Sequence, residues 1–452
     1  MDALGMRIAL AQQARERIDV QYYILHDGLT TRLLVQALLD AADRGVKVRL
    51  LLDDMTLYGQ DARIAALACH DNIDVRLFNP LEQGRRLALT RVLAFLARLP
   101  RLHRRMHNKL WLVDAETAIT GGRNLGDEYY GAASEMNFTD LDILLRGPVC
   151  VAMQASFDDY WHSPFVVPVA RFRLFKPNIE EHRLWRLRVR DRLRSAMRQR
   201  QNYVTALQHW QQSQGAEAVF GRLRDAPLSL LVDRPEKIGT PEPPALDELV
   251  FAPLIERVRA VQQELILVSA YFVPGELGLA LLQELRSRGV RVRILTNSLA
   301  ATDLPLVHGG YTVYRQALLA MGVELFEMRA RPLTQRPFWP PGSRASLHSK
   351  TLVFDRHSAF VGSFNLDPRS AFWNTEIGVL LDQPAISTEI AQLAEQGMAP
   401  AISFRLTLDE RGALVWHCQG KAGMTQLHRE RGWPWRRFLA WVSRCFAPAR
   451  WL

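Results

Sequence analysis

Two segments of this chain carry the same spacing of polar residues, written H-x-K-x4-D-x6-G-[GS]-x-N in one-letter code. The first segment spans residues 107–124 and the second spans residues 348–365 of the 452-residue sequence. An imidazole beside an ammonium group suits an anionic phosphate, because the imidazole can act as nucleophile or proton donor while the ammonium holds the charge. The repeated spacing therefore indicates phosphodiester chemistry carried by two copies of one motif.

The residues after each lysine predict a β-strand. Each lysine is followed by an aliphatic and aromatic run that ends at an aspartate, a composition typical of strands. Because strand side chains alternate between faces, His107 and Lys109 share one face, and so do His348 and Lys350. We expect these four side chains to act on one phosphate.

The turn that closes each motif predicts further contacts to the anion. Gly122 and Ser363 occupy the same position in the two turns, where a small residue lets backbone N–H groups approach a phosphate. Asn124 and Asn365 end the two motifs and supply amide donors. We therefore expect the small residues to bind substrate and the asparagines to belong to the catalytic set.

The aspartates of the two motifs have a different expected role. Asp114 and Asp355 lie an odd number of residues from their histidines. On a continuous strand they face away from the phosphate, so we interpret them as structural residues that form turns.

Both motifs together resemble those of the phospholipase D superfamily, whose members combine two such motifs in one site. The residue types favour a two-step displacement through a covalent phosphohistidine, in which the lysines and asparagines hold the non-bridging oxygens. The resemblance implies that His107 is the nucleophile and His348 the general acid. The chemistry requires no metal and no cofactor.

One further acidic pair follows from the duplication. Residues 140–148 align without a gap with residues 376–384, which sets Asp140 against Glu376. A carboxylate that accepts the Nδ1 proton of an imidazole fixes its tautomer and stabilises the imidazolium, and the resemblance implies this role here. Asp142, on the same strand face as Asp140, is the alternative candidate. Two solvated carboxylates at strand ends are the structural alternative.

Composition limits the partners. The net charge is +10 and the pI about 9.7, which favours an acidic partner, either nucleic acid or an anionic membrane surface. The four cysteines are scattered, as expected of free thiols in a reducing compartment. No apolar segment approaches the ~20 residues that span a bilayer, and no cleavable signal pattern opens the chain. We therefore expect any membrane contact to be peripheral.

The order of elements predicts an α/β fold. Strands and helices alternate over residues 18–78 and again over residues 265–327. We predict two phospholipase D-like repeats, each a mixed, largely parallel sheet flanked by helices, packed as a pseudo-two-fold pair with one active site between them. The expected boundaries are 1–164 for the first repeat, 165–245 for an Arg- and Pro-rich connecting segment, 246–405 for the second repeat, and 406–452 for a C-terminal extension.

Three segments are rich in arginine. Residues 171–200 favour equally a site for an anionic headgroup and a solvated helix that bridges the repeats. Residues 85–105 and 433–451 combine arginine with large apolar side chains, which is typical of interfacial helices at a membrane surface. Core packing or a C-terminal strap explains the same apolar stripes.

Several phrases resemble bacterial cardiolipin synthases, especially the branch without an N-terminal transmembrane hairpin. They lie at residues 18–24, 104–109, 269–275 and 302–311. The resemblance implies a peripheral protein at the cytoplasmic face of the bacterial inner membrane, which makes cardiolipin from phosphatidylglycerol and a second phospholipid or alcohol. The alternatives are a phospholipase D-type hydrolase and a nucleic-acid phosphodiesterase. We expect no nucleic-acid partner, because no aromatic series for base stacking lies near either motif; the sequence does not identify a helper protein.

Overall fold

A computed structural model gives the fold, and it confirms the predicted pair of α/β repeats. The structure describes residues 1–57, 60–81, 102–172, 179–240, 245, 248–334 and 339–446. Each repeat is built on one mixed sheet with helices packed against it.

The first sheet has seven strands. Including β6, which pairs elsewhere, the strands of this half are β1 (Arg17–Tyr22), β2 (Lys47–Asp53), β3 (Ile73–Phe78), β4 (Leu110–Val113), β5 (Thr117–Gly121), β6 (Met136–Thr139), β7 (Asp142–Arg146) and β8 (Val166–Pro168). Their order in the sheet is β7-β5-β4-β1-β2-β3-β8.

The second sheet repeats this arrangement and is longer. Including β13, which pairs with β6, its half contains β9 (Leu228–Val232), β10 (Glu264–Ser269), β11 (Arg291–Asn297), β12 (Glu324–Met328), β13 (Arg344–Leu347), β14 (Lys350–Phe354), β15 (Ser358–Gly362), β16 (Ile377–Asp382), β17 (Ser403–Leu408), β18 (Leu414–Gly420) and β19 (Gly423–Leu427). The order is β19-β18-β17-β12-β11-β10-β14-β15-β16-β9. The β12-β11-β10-β14-β15-β16 part matches β3-β2-β1-β4-β5-β7 strand for strand.

The helices cover the sheets and form the connections. They are α1 (Asp2–Gln13), α2 (Leu29–Asp43), α3 (Asp61–Leu67), α4 (Pro148–His162), α5 (Ile179–Gln199), α6 (Gln201–Gln212), α7 (Gly215–Phe220), α8 (Ala252–Ala260), α9 (Gly275–Ser287), α10 (Pro305–Thr312), α11 (Arg315–Ala320), α12 (Pro368–Phe372), α13 (Pro384–Met398) and α14 (Pro434–Phe446). Short 3-10 turns lie at Asp54–Thr56, Asp127–Tyr129, Val169–Arg171 and Pro235–Gly239. Two short helices, α10 and α11, connect β11 to β12.

Within the two large sheets, parallel pairing is confined to the centre; β6 and β13 also pair in parallel, in a separate two-stranded sheet. Strands β1, β2 and β3 are parallel, as are β10, β11 and β12, because a helix crosses over between consecutive strands. Strands β4 and β14 add antiparallel to β1 and β10, and the tight turns that follow them make β5 and β15 antiparallel as well. The sheets are thus mixed, and their parallel part is smaller than the sequence predicts.

The connecting segment serves both sheets. Strand β8 extends the first sheet and β9 extends the second. The arginine-rich helix α5 lies outside them, where Arg186 pairs with Asp43 at 2.5 Å, while Leu184 and Leu187 are exposed.

The C-terminal segment belongs to the second repeat. Strands β17, β18 and β19 extend its sheet, and α14 packs on α10. The helices approach so closely that a Cβ on Gly309 would fall 2.3 Å from the carbonyl oxygen of Ala440. Among the described residues, no helix is both long and apolar enough to cross a membrane.

One arginine-rich stretch cannot be placed in the fold. Most of the stretch 85–105, which the sequence analysis singles out, lies outside the described residues. Its expected membrane contact stays a prediction.

Candidate active site

The backbone joins the two repeats at both histidines in the same way. The N–H of His107 donates to the carbonyl of Thr375 at 2.9 Å, and the N–H of His348 donates to the carbonyl of Thr139 at 2.8 Å. In each case a carboxylic acid follows the threonine. Each motif histidine is therefore attached to the segment of the other repeat that carries the aligned acid.

Each imidazole is hydrogen-bonded to the carboxylate of the opposite repeat. The Nδ1 atom of His107 lies 2.8 and 3.0 Å from the two carboxylate oxygens of Glu376. The Nδ1 atom of His348 lies 2.7 Å from Oδ2 of Asp140. All four side chains are buried. A carboxylate on Nδ1 leaves Nε2 of each ring for a substrate.

The alternative carboxylate points elsewhere. Asp142 accepts a hydrogen bond from the fully buried guanidinium of Arg7 at 2.9 Å and lies 3.4 Å from that of Arg123. Its pairing with α1 keeps it away from both imidazoles. Of the two acidic candidates on this strand, Asp140 is thus the histidine partner.

Both motif lysines lie directly under their histidines. The Nζ atom of Lys109 donates to the carbonyl oxygen of His107 at 2.5 Å, and that of Lys350 donates to the carbonyl oxygen of His348. Each lysine is about 1% exposed. Two ammonium groups are thereby held in a site that water reaches poorly, where their field is strong. Burial lowers the pKa of both, well below the usual value for Lys109, and the carboxylates of Glu376 and Asp140 oppose the shift.

The small residues of the two turns contact the aligned acids. A Cβ on Gly122 would fall 2.1 Å from Oδ1 of Asp140, so glycine is required beside this aspartate. At the same position in the second repeat, Ser363 donates a short hydrogen bond to Glu376 and accepts one from the N–H of Ile377 at 2.9 Å. The Gly/Ser difference between the motifs therefore accompanies a difference in how each carboxylate is held.

The two asparagines differ in their partners. Asn124 accepts from the N–H of Ile24 at 3.2 Å and donates to the hydroxyl of Tyr129 at 3.1 Å. Asn365 is buried, and its Oδ1 has no hydrogen-bond partner within the described residues. A buried, unpaired amide is costly unless it binds a ligand.

Asp114 and Asp355 lie at the far ends of their strands. Asp114 accepts hydrogen bonds from the N–H groups of residues 15, 16 and 17 at 2.8–2.9 Å, and Asp355 from those of residues 262, 263 and 264 at the same distances. Both have positive φ, 53° and 50°, in the left-handed region that aspartate tolerates. Asp114 therefore joins the turn after β4 to the start of β1, and Asp355 joins the turn after β14 to the start of β10.

The two carboxyl groups differ in acidity. Burial alone would raise the pKa of the Asp140 carboxyl, but His348 and Lys350 outweigh burial and lower this pKa to about 2. Burial dominates at Glu376 and raises its pKa to about 7 despite the attraction of Lys109. Asp140 is therefore ionised throughout the neutral range, whereas Glu376 titrates within it.

Both imidazoles are weak bases in the free site. Burial and the ammonium groups of Lys109 and Lys350 lower the pKa of His107 well below its usual value. Burial and Lys350 also lower the pKa of His348, although Asp140 opposes the shift. The unliganded site therefore holds neutral imidazoles beside two buried lysines, which favours the entry of an anion.

Aromatic residues complete the walls of the site. The ring of Tyr23 meets His107 edge-on at 5.1 Å, and Tyr129 and Phe138 lie 5.1 and 4.9 Å from His348. The carboxylate of Asp53 accepts hydrogen bonds from Nε of Arg105 at 2.9 Å and from the backbone N–H of Met106 at 3.0 Å, and so holds the residues just before the first motif. These residues were not predicted from the sequence, because the signal that they give there is weak and local.

No metal-binding cluster was found in the part of the chain that the structure describes. There, no group of three or more His, Cys, Asp or Glu side chains could hold a metal ion.

The chain matches proteins of one family over both repeats. Residues 8–161 and 254–398 match the family model described as cardiolipin synthase, phospholipase D-like domain. The chain is 36% identical to cardiolipin synthase C of Escherichia coli (strain K12), over 92% of this chain and 86% of that protein. It is 34% identical to an uncharacterized protein of Helicobacter pylori (strain 26695), over 92% of this chain and 78% of that protein.

A solved structure shares the fold. The crystal structure of phosphatidylserine synthase from Haemophilus influenzae Rd KW20 superposes with a TM-score of 0.58 at 14% sequence identity, over 89% of this chain and 85% of that one. At this identity the likeness concerns the fold alone.

Proposed function

The chain belongs to the cardiolipin synthase family of phospholipase D-like proteins, and we propose that it makes cardiolipin from phosphatidylglycerol and a second phospholipid or alcohol. It is a phosphatidyltransferase of the phospholipase D superfamily, which acts on phospholipid. The observation that carries the finer proposal is the reciprocal pairing of His107 with Glu376 and of His348 with Asp140. One site thereby contains two imidazoles with free Nε2 atoms.

In the first step, Nε2 of His107 attacks phosphorus and forms a P–N bond. The P–O bond to the glycerol headgroup breaks, and His348 gives its Nε2 proton to the leaving alkoxide. In the second step, His348 takes a proton from the incoming hydroxyl, whose oxygen attacks phosphorus as the P–N bond breaks. No proton is gained or lost over the two steps.

The electrostatics favour this division of roles. The attacking imidazole must be neutral, and the pKa of His107 is lowered well below the usual value by burial and two lysines. The acid must carry a second proton, and the ionised Asp140 beside His348 stabilises an imidazolium. The anionic phosphate favours the same protonation when it binds.

Lys109 and Lys350 supply positive charge for the transition state. The neutral side-chain amides of Asn124 and Asn365 add N–H donors. Held before substrate arrives, such groups need little reorganisation when charge develops. The orphaned Oδ1 of Asn365 is available to accept a hydrogen bond from a substrate hydroxyl. Metal is therefore not needed in this mechanism.

The proposed partner surface is an anionic membrane at the cytoplasmic face of the inner membrane. Helix α14 exposes Trp435, Phe438 and Trp441, and Trp433 precedes it with 71% of its side chain exposed. Tryptophan and arginine along one helix are typical of an interfacial helix. Leu304 and Leu306, at the start of the adjoining helix α10, are also exposed.

The purified protein tests the function with phosphatidylglycerol in anionic vesicles. We expect cardiolipin and free glycerol as products by mass spectrometry, at a rate that EDTA does not lower. To trap the covalent intermediate, turnover is stopped with alkali rather than acid, because a phosphohistidine is acid-labile. We expect the trapped phosphatidyl adduct on His107. Phosphatidic acid as the only lipid product would assign a hydrolase, and cleavage of DNA with phosphatidylglycerol untouched would assign a nuclease.

A further inference from the structure

The second repeat contains an apolar cavity of about 310 Å³. It lies between α8, α9 and α12 on one side and strands β10 and β14 on the other. Its wall consists mainly of aliphatic and aromatic side chains, among them Leu254, Leu282, Leu267, Leu352, Phe364 and Phe372. Its volume is within the range of small-molecule sites, and its wall offers few partners to a polar headgroup.

The cavity adjoins the candidate active site. Leu352 lies two residues after Lys350 on β14, so both side chains project from the same face, ~7 Å apart along the strand. Phe364 and Leu366, which flank Asn365, also line the cavity, as does Asp367. The cavity therefore begins beside residues of the second motif.

The first repeat carries a larger side chain at the equivalent position of its motif strand. Trp111 holds the position in the first motif that Leu352 holds in the second, since each lies two residues after its lysine. Trp111 is fully buried and packs in the core with Ile18 and Val20. At this position the two repeats thus differ in the volume of the side chain.

The exposure of lining residues places the opening of the cavity at the start of α9. Leu277, which lines it, is 39% exposed, and Gly275 and Gly278 are partly exposed. This helix follows the carboxyl end of β10, the edge where α/β sheets bind ligands. A chain that leaves the phosphate site along this edge reaches the opening without crossing the sheet.

We propose that this cavity takes one acyl chain of the phospholipid whose phosphate lies between His107 and His348. The inference rests on the proposed phospholipid substrate and specifies how that substrate is held. Burial of apolar surface drives such binding, and each methylene that enters the cavity should raise kcat/KM about fourfold.

The test uses phosphatidylglycerols that stay monomeric, with butanoyl, hexanoyl or octanoyl chains, so that membrane docking does not contribute. For the wild-type protein, kcat/KM with octanoyl chains should exceed kcat/KM with butanoyl chains on the order of a hundredfold, because one chain places four more methylenes in the cavity. Leu352→Trp, which introduces the residue of the first repeat, should reduce this ratio to below about tenfold. An unchanged ratio in this variant would overturn the proposal.

Two further variants guard against a folding defect. Ala371→Leu narrows the cavity from α12 and should lower the same ratio, with thermal unfolding confirming the fold. Val151→Trp on α4, an exposed position distant in sequence from the cavity wall, is the matched control and should keep the wild-type ratio. A loss of chain-length dependence in the control equal to that in Leu352→Trp would contradict the assignment.

A binding measurement separates this inference from the proposed function. Phosphatidylglycerol with a diazirine at the end of one octanoyl chain should crosslink to peptides of α8 and α9 in the wild-type protein and much less in Leu352→Trp. Such crosslinks would support the cavity as the acyl-chain site even if no cardiolipin formed. In that case only the proposed function would be wrong. Crosslinks confined to other elements, with cardiolipin still formed, would overturn the cavity alone.

Discussion

Nδ1 of His107 lies 2.8 Å from Oε2 of Glu376, a residue 269 positions away in the other repeat. The reverse pair, His348 with Asp140, spans 208 positions. Among the described residues, each motif histidine pairs with a carboxylate of the opposite repeat and with none of its own. The duplicated motifs therefore form one site only when both repeats are folded together.

Each histidine should be essential. We expect His107→Ala and His348→Ala to abolish transfer, with at least a thousandfold loss in kcat, since one removes the nucleophile and the other the proton donor. Transfer from a fluorescent phosphatidylglycerol measures this, and circular dichroism checks the fold. Substantial activity in either variant would show that the repeats act independently.

The pH dependence of the rate should report Glu376. Its carboxylate must be ionised to accept the Nδ1 proton of His107, because a protonated Glu376 donates to Nδ1 and leaves the proton on Nε2, where it blocks attack. Since burial raises the pKa of this carboxyl to about 7, and bound phosphate favours the protonated His348 that the first step needs, we expect kcat to rise with pH through about 7 and to fall at higher pH as His348 loses its proton.

Two carboxamide variants provide the contrast. Glu376→Gln should lower kcat by roughly 10²–10⁴-fold, as with other carboxylates that orient a catalytic histidine, and should remove the rise near pH 7. Asp140→Asn should lower the rate by a similar factor but keep the rise, because the pKa of Asp140 is about 2. A rise near pH 7 that persists in Glu376→Gln is incompatible with this assignment.

The motif aspartates should affect stability rather than chemistry. Asp114→Ala removes the acceptor for three backbone N–H groups and a side chain suited to positive φ, so we expect a loss of ~2–4 kcal/mol in the free energy of unfolding. Asp114→Asn, which tolerates the same φ, should lose less. Denaturant unfolding measures this, and kcat per folded molecule should stay near that of the wild type; a catalytic loss without a stability loss would refute the structural role.

Membrane binding should depend on the aromatic stripe of α14. Replacing Trp435, Phe438 and Trp441 by serine should weaken binding to anionic vesicles at least tenfold, because their rings enter the interface. Flotation assays measure this, and added salt should weaken wild-type binding as well.

The matched control lies on another arginine-rich helix. Leu184→Ser with Leu187→Ser removes exposed apolar side chains from α5 and should leave vesicle binding near the wild-type level. If the α5 variant loses binding as strongly as the α14 variant, the docking surface is not specific to α14.

Most residues of the candidate site could be predicted from the sequence. The two motifs, the alignment of Asp140 with Glu376 and the order of strands and helices are all written in local spacing, because strand and helix periodicities act over a few residues. The same local logic predicts that Asp114 lies on the opposite strand face from His107. Turn chemistry then explains why an aspartate stands there.

Only the tertiary structure decided which partners meet. Asp140 and Asp142 are two residues apart and were both candidates for the histidine partner, yet packing brings one to His348 and the other to Arg7. Local spacing carries no information about hydrogen bonds between residues more than 100 positions apart, which depend on how the repeats pack. The cavity beside Leu352 is likewise invisible in the motif, because an unfilled volume is a property of all the side chains around it.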